Sequence, residues 1–227
     1  MKYAALVPNA KGYESASNAK LDEIAVFLAA TESHNRKNIN CSTAEAFARY
    51  SEVTARAKAD GIPFRGYVSC AMGCPYEGKV AVSAVVDVAE KLYAMGCYEI
   101  SLGDTIGVGN PRQTAELVRA LSQSVPLDAI ALHLHDTRGT ALANIVAGLE
   151  QGVRAFDSAA GGLGGCPYAP GASGNVATED LVYMLEGMGV RTGIDLDKLV
   201  QTSLKMERVL GRELPSKVLA AARGACT

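Results

Sequence analysis

Ala129-Ile130-Ala131-Leu132-His133-Leu134-His135-Asp136 is an apolar run that ends in reactive side chains. Read as a strand, its alternation sends His133 and His135 to the same side. The same arrangement recurs along the chain. Tyr3–Val7 ends in Pro8-Asn9, Glu23–Ala29 in Ala30-Thr31-Glu32-Ser33, and Phe64–Ser69 in Cys70. Glu99–Leu102 runs into Gly103-Asp104-Thr105, and Ala155–Ser158 runs into a glycine-rich loop carrying Cys166. Helical patterns fill the intervals. Ser42-Thr43-Ala44-Glu45 reads as a capping box opening a helix to about Ala59, stopped by Asp60-Gly61. Val80–Met95 ends at Gly96, Pro111–Ser124 starts on a proline, and Gly139–Gln151 and Asn175–Met188 are each followed by glycine. Asp195–Leu210 and Pro215–Ala222 are two further helical stretches.

Repeated strand–helix units imply a parallel sheet with right-handed crossovers. No phosphate-binding glycine fingerprint follows the first strand, which counts against a dinucleotide-binding sheet. Polar or reactive residues instead follow nearly every strand: Asn9, Glu32, Cys70, Asp104, His135 and Cys166. Barrels collect their chemistry at that end of the strands. The expected fold is therefore a (β/α)8-type barrel, a single domain over residues 1–227. It is incomplete here, because six units cannot close it, and two units of about 60–90 residues are expected to be missing.

Composition narrows the function classes. The 227 residues are 48% hydrophobic and 20% charged, with no Trp and a net charge of −2. A near-neutral chain without charge runs has little to offer nucleic acid or an anionic membrane surface. No apolar stretch approaches the roughly 20 residues of a membrane span, and no signal-peptide pattern opens the chain. A cytoplasmic location is expected, with the six cysteines as free thiols and Cys70 and Cys97 buried as small hydrophobes.

Two of the three histidines sit in the quoted run. His133 and His135 are either metal ligands or half-buried histidines satisfied by neighbours. Asn175 could add an amide oxygen, or serve as the N-cap of the helix pattern that follows it. Two nitrogens with several oxygens favour octahedral Mg²⁺ or Mn²⁺ over tetrahedral zinc. Cys166, on a glycine-rich loop beside a cation, is set for a lowered thiol pKa, against the plain alternative of a loop thiol with no role. Asp104 could orient a ligand or cap the next helix. Arg65, Lys11 and Lys37 could bind phosphates at the rim or be solvated charges, and His34 is expected to be solvated.

Several strings are far more specific than spacing. Gly161-Gly162-Leu163-Gly164-Gly165-Cys166-Pro167-Tyr168, continuing through Asn175 to Leu181, closely resembles the active-site signature of the hydroxymethylglutaryl-CoA lyase family. So do residues 37–42, 65–78, 98–109 and 133–137, and the similarity spans nearly the whole chain. The resemblance implies a metal-dependent barrel that cleaves 3-hydroxy-3-methylglutaryl-CoA to acetoacetate and acetyl-CoA, as in leucine catabolism and ketone-body formation. It implies His133, His135 and Asn175 as ligands of Mg²⁺ or Mn²⁺. It implies Cys166, His133, Asp104 and Glu179 as catalytic or supporting residues, and Asn38, Lys37 and Arg65 as coenzyme A contacts. It also implies that a near-terminal cysteine, here Cys226, can link two copies as a homodimer; a frayed tail thiol is the alternative. The family's first strand carries an arginine and a metal-binding aspartate, and this chain starts at what corresponds to the third. A shortened chain with open sheet edges, prone to aggregation and of low activity, is therefore expected. The competing functions are a related metal-dependent 2-oxo-acid aldolase or acyl-CoA Claisen synthase, and an impaired fragment that needs a partner chain.

Overall fold

Each of the six apolar runs forms a strand: β1 (Ala4–Leu6), β2 (Glu23–Ala29), β3 (Phe64–Ser69), β4 (Ile100–Asp104), β5 (Ile130–Leu134) and β6 (Ala155–Asp157). The computed structural model describes residues 2–165 and 174–225. All neighbouring strands are parallel and lie in chain order, β1 to β6. A doubly wound sheet would reverse its order at a switch point. Unbroken succession with helical crossovers is the build of a barrel wall. Among the described residues β1 and β6 are the two open edges.

The outward face of this wall carries the core. Val26, Leu28, Val68, Ile100, Leu102, Ile130, Leu132 and Leu134 pack under Val85, Leu92, Leu117, Leu121 and Ile145 from the covering helices. Each such side chain contributes about 1.5–3 kcal/mol by leaving water. The crossover helices are α1 (Ala10–Asn18), α2 (Glu32–Asn38), α3 (Thr43–Ala59), α4 (Val82–Ala94), α5 (Pro111–Leu121) and α6 (Ala141–Glu150). They are followed by α7 (Thr178–Gly187), α8 (Leu196–Leu210) and α9 (Lys217–Ala225). The α3 capping box is present, with Glu45 N donating to Ser42 Oγ at 3.2 Å and Ser42 N donating to Glu45 Oε2 at 2.7 Å. A second box, Asn110 with Gln113, opens α5 around Pro111.

Two helices lie where no helical pattern is legible. Gly12, Ser15, Ser17 and Asn18 give α1 poor intrinsic propensity. It forms because Asn9 accepts from Gly12 N at 2.9 Å and because Tyr13 and Ala16 are buried. Short α2 buries His34 and Asn35, so His34 is enclosed and not solvated as expected. Asn35 accepts from Ala29 N and donates to Ala29 O at 2.7 and 3.0 Å, sewing α2 to the end of β2.

Candidate active site

The inward face of the wall is set by register. Tyr67 lies opposite Ser101, Ser101 opposite Ala131, Gly103 opposite His133, and His133 opposite Asp157. Strand alternation thus brings Arg65, Tyr67, Ser101, His133 and Asp157 onto one surface. Above it opens a cavity of about 550 Å³. Its walls include Leu6, Phe27, Val68, Tyr67, Gly103, Thr105 and Gly165, and all three histidines of the chain.

His133 Nε2 and His135 Nε2 face each other at 3.3 Å. Burial pushes the His135 imidazole down to about 4, and His133 beside it pushes the same way against a backbone contact with Thr105. His135 is therefore neutral near pH 7, the form a metal ion requires. Asn175 is brought alongside His135 by an isolated antiparallel bridge, with Asp136 N donating to Gly174 O at 2.8 Å and Val176 N to Leu134 O at 3.2 Å. Its Nδ2 donates to Leu163 O at 2.9 Å, which leaves Oδ1 as the atom a cation could take. Asn175 is no N-cap: α7 starts at Thr178, after Ala177. Two imidazoles converging on one point, with an amide oxygen next to them, fit a divalent cation. Among the described residues no cluster of three His, Cys, Asp or Glu side chains does so.

Behind His133 stands Asp157, which carried no assignment in the sequence reading. Its Oδ2 is 3.2 Å from His133 Nδ1 and accepts from Ser101 Oγ at 2.9 Å. Its Oδ1 accepts from Arg65 Nη1 at 2.7 Å. Burial would raise the Asp157 carboxyl, but His133 and the Arg65 guanidinium hold it at about 2. Arg65 also pairs with Glu99 and donates to Tyr67 Oη at 2.7 Å. Arg65 and Asp157 belong to strands separated by two others, so their pairing spans the concave face. Arg65 therefore spends its charge inside the wall, near the start of β3, and not at the rim where coenzyme A contacts were expected.

The other predicted residues divide. Asn38, at the end of α2, lines the cavity, whereas Lys37 beside it is exposed and lines none of it. Asp104 is fully buried and turned away from the histidines, accepting from Val108 N and Gly109 N at 3.0 and 2.8 Å. Glu179 accepts from Gly161 N at 3.0 and 2.7 Å and pairs with Ser203 Oγ. Both acids shape loops and touch neither histidine. Glu179 in particular holds the left-handed turn at Gly161, φ 62°. Cys166 and Cys226 lie outside the described residues; Cys70 and Cys97 are buried, as expected of small hydrophobes.

Asp157 and Tyr67 did carry a signal, being polar residues on strands at even spacing from other inward positions. Reading it requires the register between strands, which the sequence alone does not display.

The HMGL-like family matches residues 3–205. A mitochondrial hydroxymethylglutaryl-CoA lyase from Gallus gallus is 53% identical over 222 residues, 98% of this chain and 74% of that protein. The crystal structure of a hydroxymethylglutaryl-CoA lyase from Pseudomonas aeruginosa superposes with a TM-score of 0.95 at 47% identity, covering 100% of this chain and 75% of the other. An HMG-CoA lyase from Acinetobacter baumannii, solved in complex with coenzyme A and 3-methylmalate, gives 0.93 at 40% identity, covering 97% and 72%. With that fold, that wall of histidines and these relatives, the chain belongs to the HMGL-like family.

Proposed function

We propose that this chain cleaves 3-hydroxy-3-methylglutaryl-CoA to acetoacetate and acetyl-CoA, with Mg²⁺ or Mn²⁺ held by His133, His135 and Asn175. The observation that carries the reading is the 3.3 Å convergence of two Nε2 atoms in the cavity of an HMGL-like chain. When bound, the ion supplies positive charge that acidifies the substrate's 3-hydroxyl and orients it.

The chain's own residues do the remaining work. In cleavage the 3-hydroxyl loses its proton, the oxygen's electron pair forms the ketone, the C2–C3 pair passes to C2 of the departing acetyl-CoA, and C2 takes up one proton, so none is released overall. An imidazole that binds an ion through Nε2 cannot also carry a proton there, so His133 binds and orients. The family resemblance assigns delivery of the proton to C2 to Cys166. Phe27, on the inward face of β2, gives the cavity an apolar side that limits water near the carbanionic carbon. Asn38 at the cavity wall and Lys37 on the same helix are the proposed coenzyme A contacts.

A coupled assay of acetyl-CoA release tests this. We expect turnover of hydroxymethylglutaryl-CoA that EDTA abolishes and added Mg²⁺ or Mn²⁺ restores. Turnover that survives EDTA, or cleavage of a 2-oxo acid in place of the thioester, would sink it.

A further inference from the structure

A neutral imidazole has one bare nitrogen, and its two tautomers compete over which one. For His133 the neighbours decide. Nδ1 faces Asp157 Oδ2 at 3.2 Å, and Nε2 faces His135 Nε2 at 3.3 Å. Asp157 is held on both oxygens, by Arg65 at 2.7 Å and Ser101 at 2.9 Å. A carboxylate paired with a guanidinium has no proton to give. The proton in its contact with His133 therefore sits on Nδ1.

We propose that Asp157 is a positioning residue that fixes His133 as the Nδ1–H tautomer, leaving Nε2 bare toward His135, and that Arg65 and Ser101 hold Asp157 to this task. The purpose of the device rests on the metal reading above; the tautomer does not. Four consecutive strands supply its parts: Arg65 from β3, Ser101 from β4, His133 from β5 and Asp157 from β6. A one-residue slip of β6 would put Phe156 or Ser158 opposite His133 and dissolve it. Carboxylate partners of this kind orient metal-binding histidines generally, and losing one costs about 10–100-fold in metal affinity.

The plainer possibility is that Asp157 only neutralises Arg65. Asp157→Asn separates the two. The guanidinium offers donors alone, so the amide oxygen stays with Arg65 and the amide NH₂ turns to His133. Nδ1 then becomes an acceptor, and the ring proton moves to Nε2, where it blocks the bare nitrogen.

Ring ¹⁵N NMR of the metal-free protein reads this directly. The chain has three histidines, and His34→Gln identifies one of the three ring systems. We expect His133 to be protonated on Nδ1 in the wild type and on Nε2 in Asp157→Asn. Mn²⁺ affinity of the variant, measured by electron paramagnetic resonance, should fall by about 10–100-fold. A wild-type His133 protonated on Nε2, or a tautomer indifferent to Asp157→Asn, overturns the proposal. Should Asp157→Asn not fold, the wild-type spectrum decides alone. If the wild type shows and loses the Nδ1 proton as expected yet binds no Mn²⁺, the metal reading fails and the tautomer assignment stands.

Discussion

His135→Ala is expected to lower metal-dependent release of acetyl-CoA by more than about 100-fold, beyond the range seen when a histidine's outer partner is lost. The imidazole is neutral, almost fully enclosed, and directed at His133. Alanine removes one of two nitrogen donors, and nothing described is placed to replace it. The fold should tolerate the change, because no charge is stranded and His135 pairs with no carboxylate. The variant should therefore keep its urea midpoint in metal-free buffer while losing activity and Mn²⁺ binding together. Activity within tenfold of the wild type would show that the two rings do not act as ligands.

Arg65→Leu should act on stability instead. Arg65 is clasped between Asp157 and Glu99 with side-chain exposure of 12%, 21% and 15% for the three. Removing one member of such a pair strands the others, at a cost of about 3–5 kcal/mol. The effect is expected in the urea midpoint at neutral pH, and a loss below about 1 kcal/mol, the ceiling typical of exposed pairs, would contradict it. Its pH dependence gives a second reading. Asp157 is held at about 2 in the fold against an ordinary value of 3.8. A depressed carboxyl contributes stability that is complete above its unfolded value and vanishes as the pH falls through the folded one. Glu99 runs the other way, because burial raises it above its usual range despite Arg65, and it disfavours folding once ionised. Both carboxyls are protonated in strong acid, where the guanidinium has no anion to neutralise. The gap between wild type and variant should therefore close as the pH falls from about 4 towards 2.

Much of the wall was legible in the amino-acid order, because its signals are local. Apolar runs bounded by Gly, Pro or Asp locate all six strands to within a residue or two. Ser42 with Glu45 marks a helix start that the structure reproduces. Helices α1 and α2 were not legible, since cap and burial carry them against weak propensity. The quoted histidine run put His133 and His135 on one face for a reason that survives intact, strand alternation. What could not be read is what depends on register between distant strands. Arg65 and Asp157 are 92 residues apart and meet across the concave face. Without that pairing Arg65 looks like a rim cation, and Asp157 looks like nothing. Asp104 and Glu179 show the complementary difficulty. Both sit within the signature strings, yet the Asp104 carboxylate turns to amides of its own loop and the Glu179 carboxylate, on α7, to the amide of Gly161. The burial of His34 is illegible for the same reason as α2, since it comes from packing on β2 and not from any periodicity.

His133, His135 and Asn175 are proposed to share one divalent ion. Anomalous diffraction from crystals of this chain grown with Mn²⁺ tests it most directly. We predict a single strong peak within bonding distance of His133 Nε2, His135 Nε2 and Asn175 Oδ1. A peak elsewhere, or none at a Mn²⁺ concentration that supports turnover, would contradict the account.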